Sequence, residues 1–546
     1  MKAVEVIRRY HTETSHSPRP RRRDLLVSGF RPMAPDNRPA PFKRYRKIER
    51  LPLPGDLRPP ADAPSALEAL ARDAASATNG PVDLDILARL LYFSAGVTRY
   101  SSRGRARAWF RASASAGNLH PLELYVACGP DLDVPQGLYH FDPESFSLGR
   151  LRPTDVRPHL AHAADDAAVA AAAGVMVVTG IPWRTSWKYA ERGWRHIFWD
   201  AGSLLANVLA VAAAYGLPAR VVLGFVDRDV SHVLGIDGTS ELPVAAVALG
   251  SGPVPAGLTA SAGDLDPLHP EVDPLSPHPV EFPLVAEAQR ASDLDNPEAV
   301  AGWHDACTAG LGRHTGAATV DPVDIPTLGE TSEPIESLIL RRGSTRLMER
   351  RPIPSGALDW ALRVATRAVP MDAIPTGRTL LSHHLVIHAV DGHRPGLYRW
   401  ADGTLAPSSN REAESTRDLS TFLCLGQPLG GDSAYTVFES TDLDAVLDEL
   451  GPRGYRAAHL EAGFVNGRLL LAAHALGHGA TGLTFFDDEV RAAFSIPTGC
   501  LLVTAVGVPA YRPTPGGWPG HPTRLHHYDT LMTRLEARLR GPAGPR

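Results

Sequence analysis

The sequence predicts an α+β protein made of two copies of one domain in a single chain, packed against each other as an internal pseudo-dimer. Three observations carry that expectation. A length of 546 residues exceeds what one hydrophobic core organises. Between residues 254 and 334 the chain fills with Pro, Asp, Gly and Ser, as in DPLHPEVDPLSPHP and TVDPVDIPTLGETSEP, the composition of a connecting segment. The regions on either side of that segment repeat one another.

The repeat is legible element by element. Each half has an alternating strand followed by a GLY turn, LELYVACGP to GLYHFDP and HHLVIHAVDG to GLYRW. In the first half, Ala167 to Trp183 is the longest uncharged run. Its Ala-rich start and β-branched GVMVVTG read as a helix end and a buried strand, not a membrane span. Next come two long amphipathic helices. IFWDAGSLLANVLAVAAAYGL places apolar residues at Ile197, Ala201, Leu204, Val208, Val211 and Tyr215, and AAHLEAGFVNGRLLLAAHALG repeats the spacing at Ala458, Ala462, Val465, Leu469, Ala472 and Leu476. Gly216 and Gly477 stand where a C-terminal cap belongs. Each helix is followed by a short strand, an acidic turn and a second strand: VVLGFVDRDV then PVAAVALG, and TGLTFFDDEV then LLVTAVGV. The matching stripes predict that the two helices pack on one another across a pseudo-two-fold axis. A short helix is expected near PLVAEAQRAS. The boundaries that follow are 1–255 for the first domain, 256–331 for the linker, 332–520 for the second domain and 521–546 for a tail.

Composition narrows the function. A chain that is 44% apolar and 21% charged reads as soluble and globular, and a formal net charge of −5 gives no basic face for nucleic acid. Cys128, Cys307, Cys424 and Cys500 lie far apart, which suggests neither a zinc site nor a disulfide framework and fits a reducing cytoplasm. MKAVEVIRRYHTETSH lacks the apolar core of a signal peptide. There is no Walker A sequence, GxGxxG after a strand, HExxH or GxSxG. His383 and His384 begin a strand-like run, so they point to opposite faces and do not chelate; no metal is expected.

Three stretches could carry chemistry. SLILRRGSTRLM gathers Arg341, Arg342, Ser344 and Arg346, whose planar guanidinium forks and hydroxyl suit a phosphate, against the alternative of a solvated basic helix end. RASASAGNLHP supplies Arg111, Ser113, Ser115 and Asn118 around Gly117, a glycine that allows close backbone approach to a ligand. TSWKYAERGWRH pairs Lys188 with Tyr189, and an adjacent ammonium lowers a phenol's pKa toward the range of a general base.

The order of these motifs resembles a known family. RRGSTR looks like the flavin-phosphate motif of the nitroreductase superfamily, and SASAGN with Pro121 looks like its flavin-holding loop. More narrowly, LLYFSAGVTR, SAGNLHPLELYV, GLYHFDP, WKYAERGWRHIFWDAG and YHTETSHSP are similar to SagB-type dehydrogenases, flavoenzymes that oxidise thiazoline or oxazoline rings in ribosomally made peptides. The resemblance implies two domains with a central, mostly antiparallel sheet flanked by helices, and FMN bound between a phosphate motif and a Ser/Asn loop from opposite subunits. Here the first half has LEALARDAASAT in place of a phosphate motif, with only Arg72 left, and the second has VPMDAIPTGRTLLSHH in place of the Ser/Asn loop. One composite FMN site per chain follows. Arg341, Arg342, Ser344, Arg346 and Arg512 would hold phosphate, and Arg111, Ser113, Ser115, Gly117 and Asn118 would face the flavin across the interface. Gly482, Leu483 and Thr484 would offer backbone amides. Lys188 and Tyr189 would be catalytic, with Tyr189 the base.

The partners implied are a modified precursor peptide and a cyclodehydratase of the same pathway, with no nucleic acid or membrane, in a monomeric pseudo-dimer or a homodimer. Two other readings compete: a reductase passing hydride from NAD(P)H to a nitro, quinone or enone substrate, and a flavin-free scaffold that binds peptide.

Overall fold

In the computed structural model, residues 2–18, 34–72, 82–103, 106–130, 132–252, 260–309, 316–318, 323–325, 333–408, 415–496, 499–526 and five positions between 530 and 537 are described. Two antiparallel sheets form around the two alternating strand pairs. In the first, Gly137–Asp142, Leu122–Cys128, Gly174–Gly180, Leu242–Leu249 and Ala219–Val222 lie side by side in that order. In the second, Gly396–Ala401, Ser382–Ile387, Tyr435–Ser440, Cys500–Pro509 and Gly479–Leu483 take the same order. The same strand order in both halves is the duplication made visible. The expected acidic turns are short helices instead, Asp227–Leu234 and Asp487–Phe494, whose clustered first-turn acids suit the positive end of a helix.

The two long helices, Gly193–Ala214 and Leu443–Ala475, run along the seam between the halves. The second bends at Gly451 and Pro452, so its seam portion starts at a proline, which loses no helical hydrogen bond at that position. Equivalent residues meet across the seam. Trp194 stacks on Tyr455 with ring centroids 5.7 Å apart and planes 7° from parallel. Gly202 lies against Gly463: a Cβ on Gly202 would be 2.1 Å from the Leu460 carbonyl oxygen, and one on Gly463 would be 2.5 Å from that of Trp199. Only glycine permits that approach. Gly216 and Gly477, both with positive φ, end the helices as expected. The apolar stretch Pro182–Ala214 is long enough to cross a membrane, yet 94% of its most apolar window is buried inside the protein.

Reciprocal ion clusters lock the halves together. Asp227 of the first half accepts from Arg453 and Arg456 of the second at 2.8–2.9 Å. Asp487 of the second half accepts from Arg192 and Arg195 of the first at 3.1 and 3.0 Å. Burial raises the pKa of each carboxyl, but the paired arginines more than offset it, and Asp487 is held down to about 2. Each acid also takes a backbone N–H from the segment that leads into the opposite half, that of Leu294 for Asp227 and that of His16 for Asp487. A helix runs into each segment, Pro283–Ala291 and Ala3–Glu13. The parallel therefore extends into the Pro-rich segment, which carries the expected short helix and a second, unexpected one at Pro297–Ala309.

Candidate functional site

The Ser/Asn loop is held from beneath by the first long helix. The strand Ala106–Arg111 leads into it, and the buried Asp200 carboxylate accepts from Ser115 Oγ at 2.5 Å and from the Ala116 N–H at 3.0 Å. Burial raises Asp200 to about 7, opposed by those two hydrogen bonds. Asn118 donates to the Trp109 carbonyl at 2.8 Å, and its Oδ1 lies 2.9 Å from His120 Nε2. Gly117, at φ +61°, forms the crest between them, where a positive φ favours glycine.

The crest meets the Lys-Tyr pair. A Cβ added to Gly117 would lie 2.7 Å from the Tyr189 hydroxyl and 3.0 Å from Lys188 Nζ. The pair ends the helix Pro182–Tyr189, and Ala190, at φ +49°, turns the chain into the long helix. Tyr189 stacks on His196 with centroids 4.1 Å apart, and both ring nitrogens of His196 are buried without a hydrogen-bond partner among the described residues.

The expected effect of Lys188 on Tyr189 is not realised. The phenol is raised, by burial first and the Asp200 carboxylate second, with Arg346 opposing. Lys188 Nζ sits 5.2 Å from the centroid of the phenol ring. Its own pKa is lowered by burial, then by Arg346 and Arg38. Tyr189 is thus a neutral phenol here, able to donate a hydrogen bond. The influence of Arg346 on both groups brings the RRGSTR stretch of the second half to the Lys-Tyr pair of the first.

Arg342 joins the halves at the foot of the Ser/Asn loop. One Nη donates to the Ala112 carbonyl at 2.6 Å, while Nε and the other Nη are buried with no partner among the described residues. Burial first and the neighbouring Arg99 second lower its pKa to about 9. A buried guanidinium with two unused N–H donors and a second cation beside it is suited to an anion that brings the missing acceptors.

Other expected residues are placed differently. Arg341 pairs with Glu333 and donates to the His474 carbonyl at 2.8 Å. Its backbone turn and Arg512 line a cleft of about 820 Å³ with Gly343, Thr345 and Tyr511. Arg111 turns into the interior, donating to the Pro41 and Leu122 carbonyls, so it does not reach the loop crest. Ser113 is buried and Ser344 partly exposed. Along the edge strand Gly479–Leu483 and just past it, Gly482 is exposed and Thr484 and Phe486 are partly exposed while Leu483 and Phe485 are buried, so one face of that edge is available. No group of three or more metal-ligating side chains occurs among the described residues.

Asp200 was not singled out from sequence. Its repeat partner is Glu461, which accepts from Thr379 Oγ1 at 2.6 Å and the Leu380 N–H at 2.9 Å and is raised to about 7, chiefly by burial. An acid at the same step of the two matching helices was the available signal.

Comparison with known proteins agrees with this geometry. The nitroreductase family model matches residues 72–251. A candidate nitroreductase of Methanocaldococcus jannaschii is 31% identical over 159 residues, covering 29% of this chain and 77% of that protein. The crystal structure of a candidate nitroreductase from Anabaena variabilis superposes with a TM-score of 0.68 at 24% identity, covering 92% of this chain and 99% of that one, which shows the fold. A chain of the E. coli microcin synthetase McbBCD complex with truncated pro-MccB17 bound scores 0.29, a likeness too slight to bear on the reaction. With its antiparallel sheets, its seam of paired helices and a relative matched over most of its length, the chain belongs to the nitroreductase family of oxidoreductases.

Proposed function

We propose that this chain is an FMN-dependent dehydrogenase with one composite site, oxidising thiazoline or oxazoline rings of a ribosomally made peptide to azoles. The observation that carries the reading is the junction of complementary halves. Arg342 of one half spans to Ala112 of the other and keeps two buried donors unused, beside the loop whose crest touches Tyr189. Those donors fit a phosphate, so Arg342 with Ser344 would hold the phosphate of FMN, and Arg346 would face the ring near Lys188 and Tyr189. Gly117 would give close backbone approach, with Asp200 fixing the loop. The open edge Gly482–Thr484 would offer amides. Bound there, FMN supplies the hydride acceptor.

The protein's own part is to orient the ring and manage a proton. Azoline oxidation needs loss of the acidic proton on the ring carbon that bears the carbonyl as hydride leaves the neighbouring ring carbon. Tyr189 Oη is the group placed to exchange that proton, and the cation Arg346 favours its ionised form against burial and Asp200. The absorbance spectrum of purified protein with quantified flavin tests the site. One FMN per chain is expected, and a ratio near two refutes it. Anaerobic NADPH separates the chemistry: failure to bleach the flavin fits a dedicated azoline dehydrogenase, and rapid bleaching marks an NAD(P)H reductase.

A further inference from the structure

The second pseudo-site has the same sheet edge but a different occupant. Its strand Ala219–Val222 continues through Leu223 and Gly224, the counterparts of Leu483 and Thr484. Here the loop Val369–Asp372 lies directly on that edge. The Val221 N–H donates to the Pro370 carbonyl at 2.8 Å and the Asp372 N–H to the Val221 carbonyl at 3.2 Å. The Asp372 carboxylate then accepts from the Leu223 N–H at 2.8 Å and the Gly224 N–H at 2.7 Å, one on each oxygen. The helix Pro297–Ala309 closes over the top. A Cβ on Gly224 would lie 2.3 Å from His304 Nε2 and 2.9 Å from the Trp303 ring, and His304 Nε2 is 3.4 Å from Asp372. In the first site, among the described residues, no hydrogen bond joins the Ser113–Asn118 loop to Gly482–Phe486.

We propose that Asp372, backed by Trp303 and His304, is a built-in plug that occupies the ring position of the second cofactor site. A carboxylate presents two neighbouring acceptors to two successive amides, the same demand that adjacent N5 and O4 of an isoalloxazine would meet. The chain thus carries its own ligand where a second flavin ring would sit, and the plug ties the Pro-rich segment to the sheet. This inference rests on the flavin reading of the first site, and it predicts that the closed position regains ring affinity when the plug is removed.

The test uses the full chain loaded with FMN and titrated with lumiflavin, an isoalloxazine without ribityl phosphate, which needs no phosphate motif. Wild-type protein is expected to take up no lumiflavin beyond its single FMN. A variant carrying Trp303→Ala, His304→Ala and Asp372→Ala is expected to bind one lumiflavin per chain while keeping its FMN. Retained FMN without added lumiflavin binding in that variant overturns the plug, as does lumiflavin binding to the wild type. Should the triple variant not fold, hydrogen exchange of the peptide spanning residues 221–226 decides with Asp372→Ala alone. Exchange at least tenfold faster than wild type is expected, and unchanged protection overturns the proposal. A wild-type chain that binds no FMN at all fails the functional reading, and the exchange measurement still scores the plug.

Discussion

The two pseudo-equivalent sites are built on one scaffold and differ in what the scaffold holds. In both, an acid of the long helix pins a loop through a hydroxyl and a backbone N–H: Asp200 through Ser115 and Ala116, Glu461 through Thr379 and Leu380. In the first, that loop crests at Gly117 beside Lys188 and Tyr189, and faces a buried arginine with spare donors. In the second, Glu449 and Leu450 stand where Lys188 and Tyr189 stand, and the sheet edge is covered by Asp372. The supporting hydrogen bonds recur in both halves, and the side chains around them differ. Loop anchoring is common to both halves, whereas the Lys-Tyr pair stands in the first alone.

Substitutions at paired positions break or sharpen that comparison. Tyr189→Phe is expected to keep flavin while lowering azoline turnover by roughly 10²–10⁴-fold, and Leu450→Phe to leave the rate near wild type. Steady-state kinetics with quantified flavin checks both; flavin loss in Tyr189→Phe marks the phenol as structural. Gly202→Ala and Gly463→Ala should each destabilise strongly, on the order of 3 kcal/mol or more, because the new methyl meets a backbone oxygen. Equal losses in denaturant midpoint would confirm a symmetric seam. Arg342→Ala is expected to weaken FMN binding about 10- to 100-fold, since charge-assisted hydrogen bonds are lost, while Arg72→Ala changes it less than about twofold. Equilibrium titration of apoprotein with FMN distinguishes the two.

The pinning acids predict a pH response. Asp200 and Glu461 are both raised to about 7, so the folded protein holds their protons over a range where the unfolded chain releases them. Their contribution to stability is full below the ordinary carboxyl range near about 4 and is lost as pH rises through about 7. Melting temperatures from pH 4 to 8 should therefore fall less steeply in Asp200→Asn and Glu461→Gln than in wild type, and parallel curves would sink the assignment. The smallest effect is expected at Ala190, at φ +49°, whose counterpart Gly451 has φ +62°. Ala190→Gly relieves a left-handed alanine and should leave stability within about 1 kcal/mol of wild type, by denaturant unfolding.

Much of the architecture was readable because it rests on periodicity. The seam stripes from Ile197 and from Ala458 follow the helical repeat, and the strands Leu122–Cys128 and Ser382–Ile387 follow from their alternation and turns. The helices Asp227–Leu234 and Asp487–Phe494 passed for turns because eight residues are too few to establish a period, although their leading acids are a helix-start signal. The site was legible as residue types at the right order, and less so as roles. Nothing in the KY dipeptide reveals that Tyr189 is half-buried beside Asp200, and desolvation reverses the expected shift. Arg111 reads like a loop donor but turns inward to two carbonyls, a choice set by tertiary packing. The plug escaped notice because Asp372 and His304 acquire meaning only when sequence positions 68 residues apart meet.

The reciprocal ion clusters bear on how such a chain can be made and divided. Asp227 waits for Arg453, 226 positions later, so when the first half leaves the ribosome its acid has no arginine to receive it. Burying that carboxylate alone would cost several kcal/mol, and the first half must stay open at this edge until the second long helix has been synthesised. A break introduced within the Pro-rich segment would leave two fragments each holding half of the other's charge balance, so they would recover the native state by finding one another, as subunits of a heterodimer do.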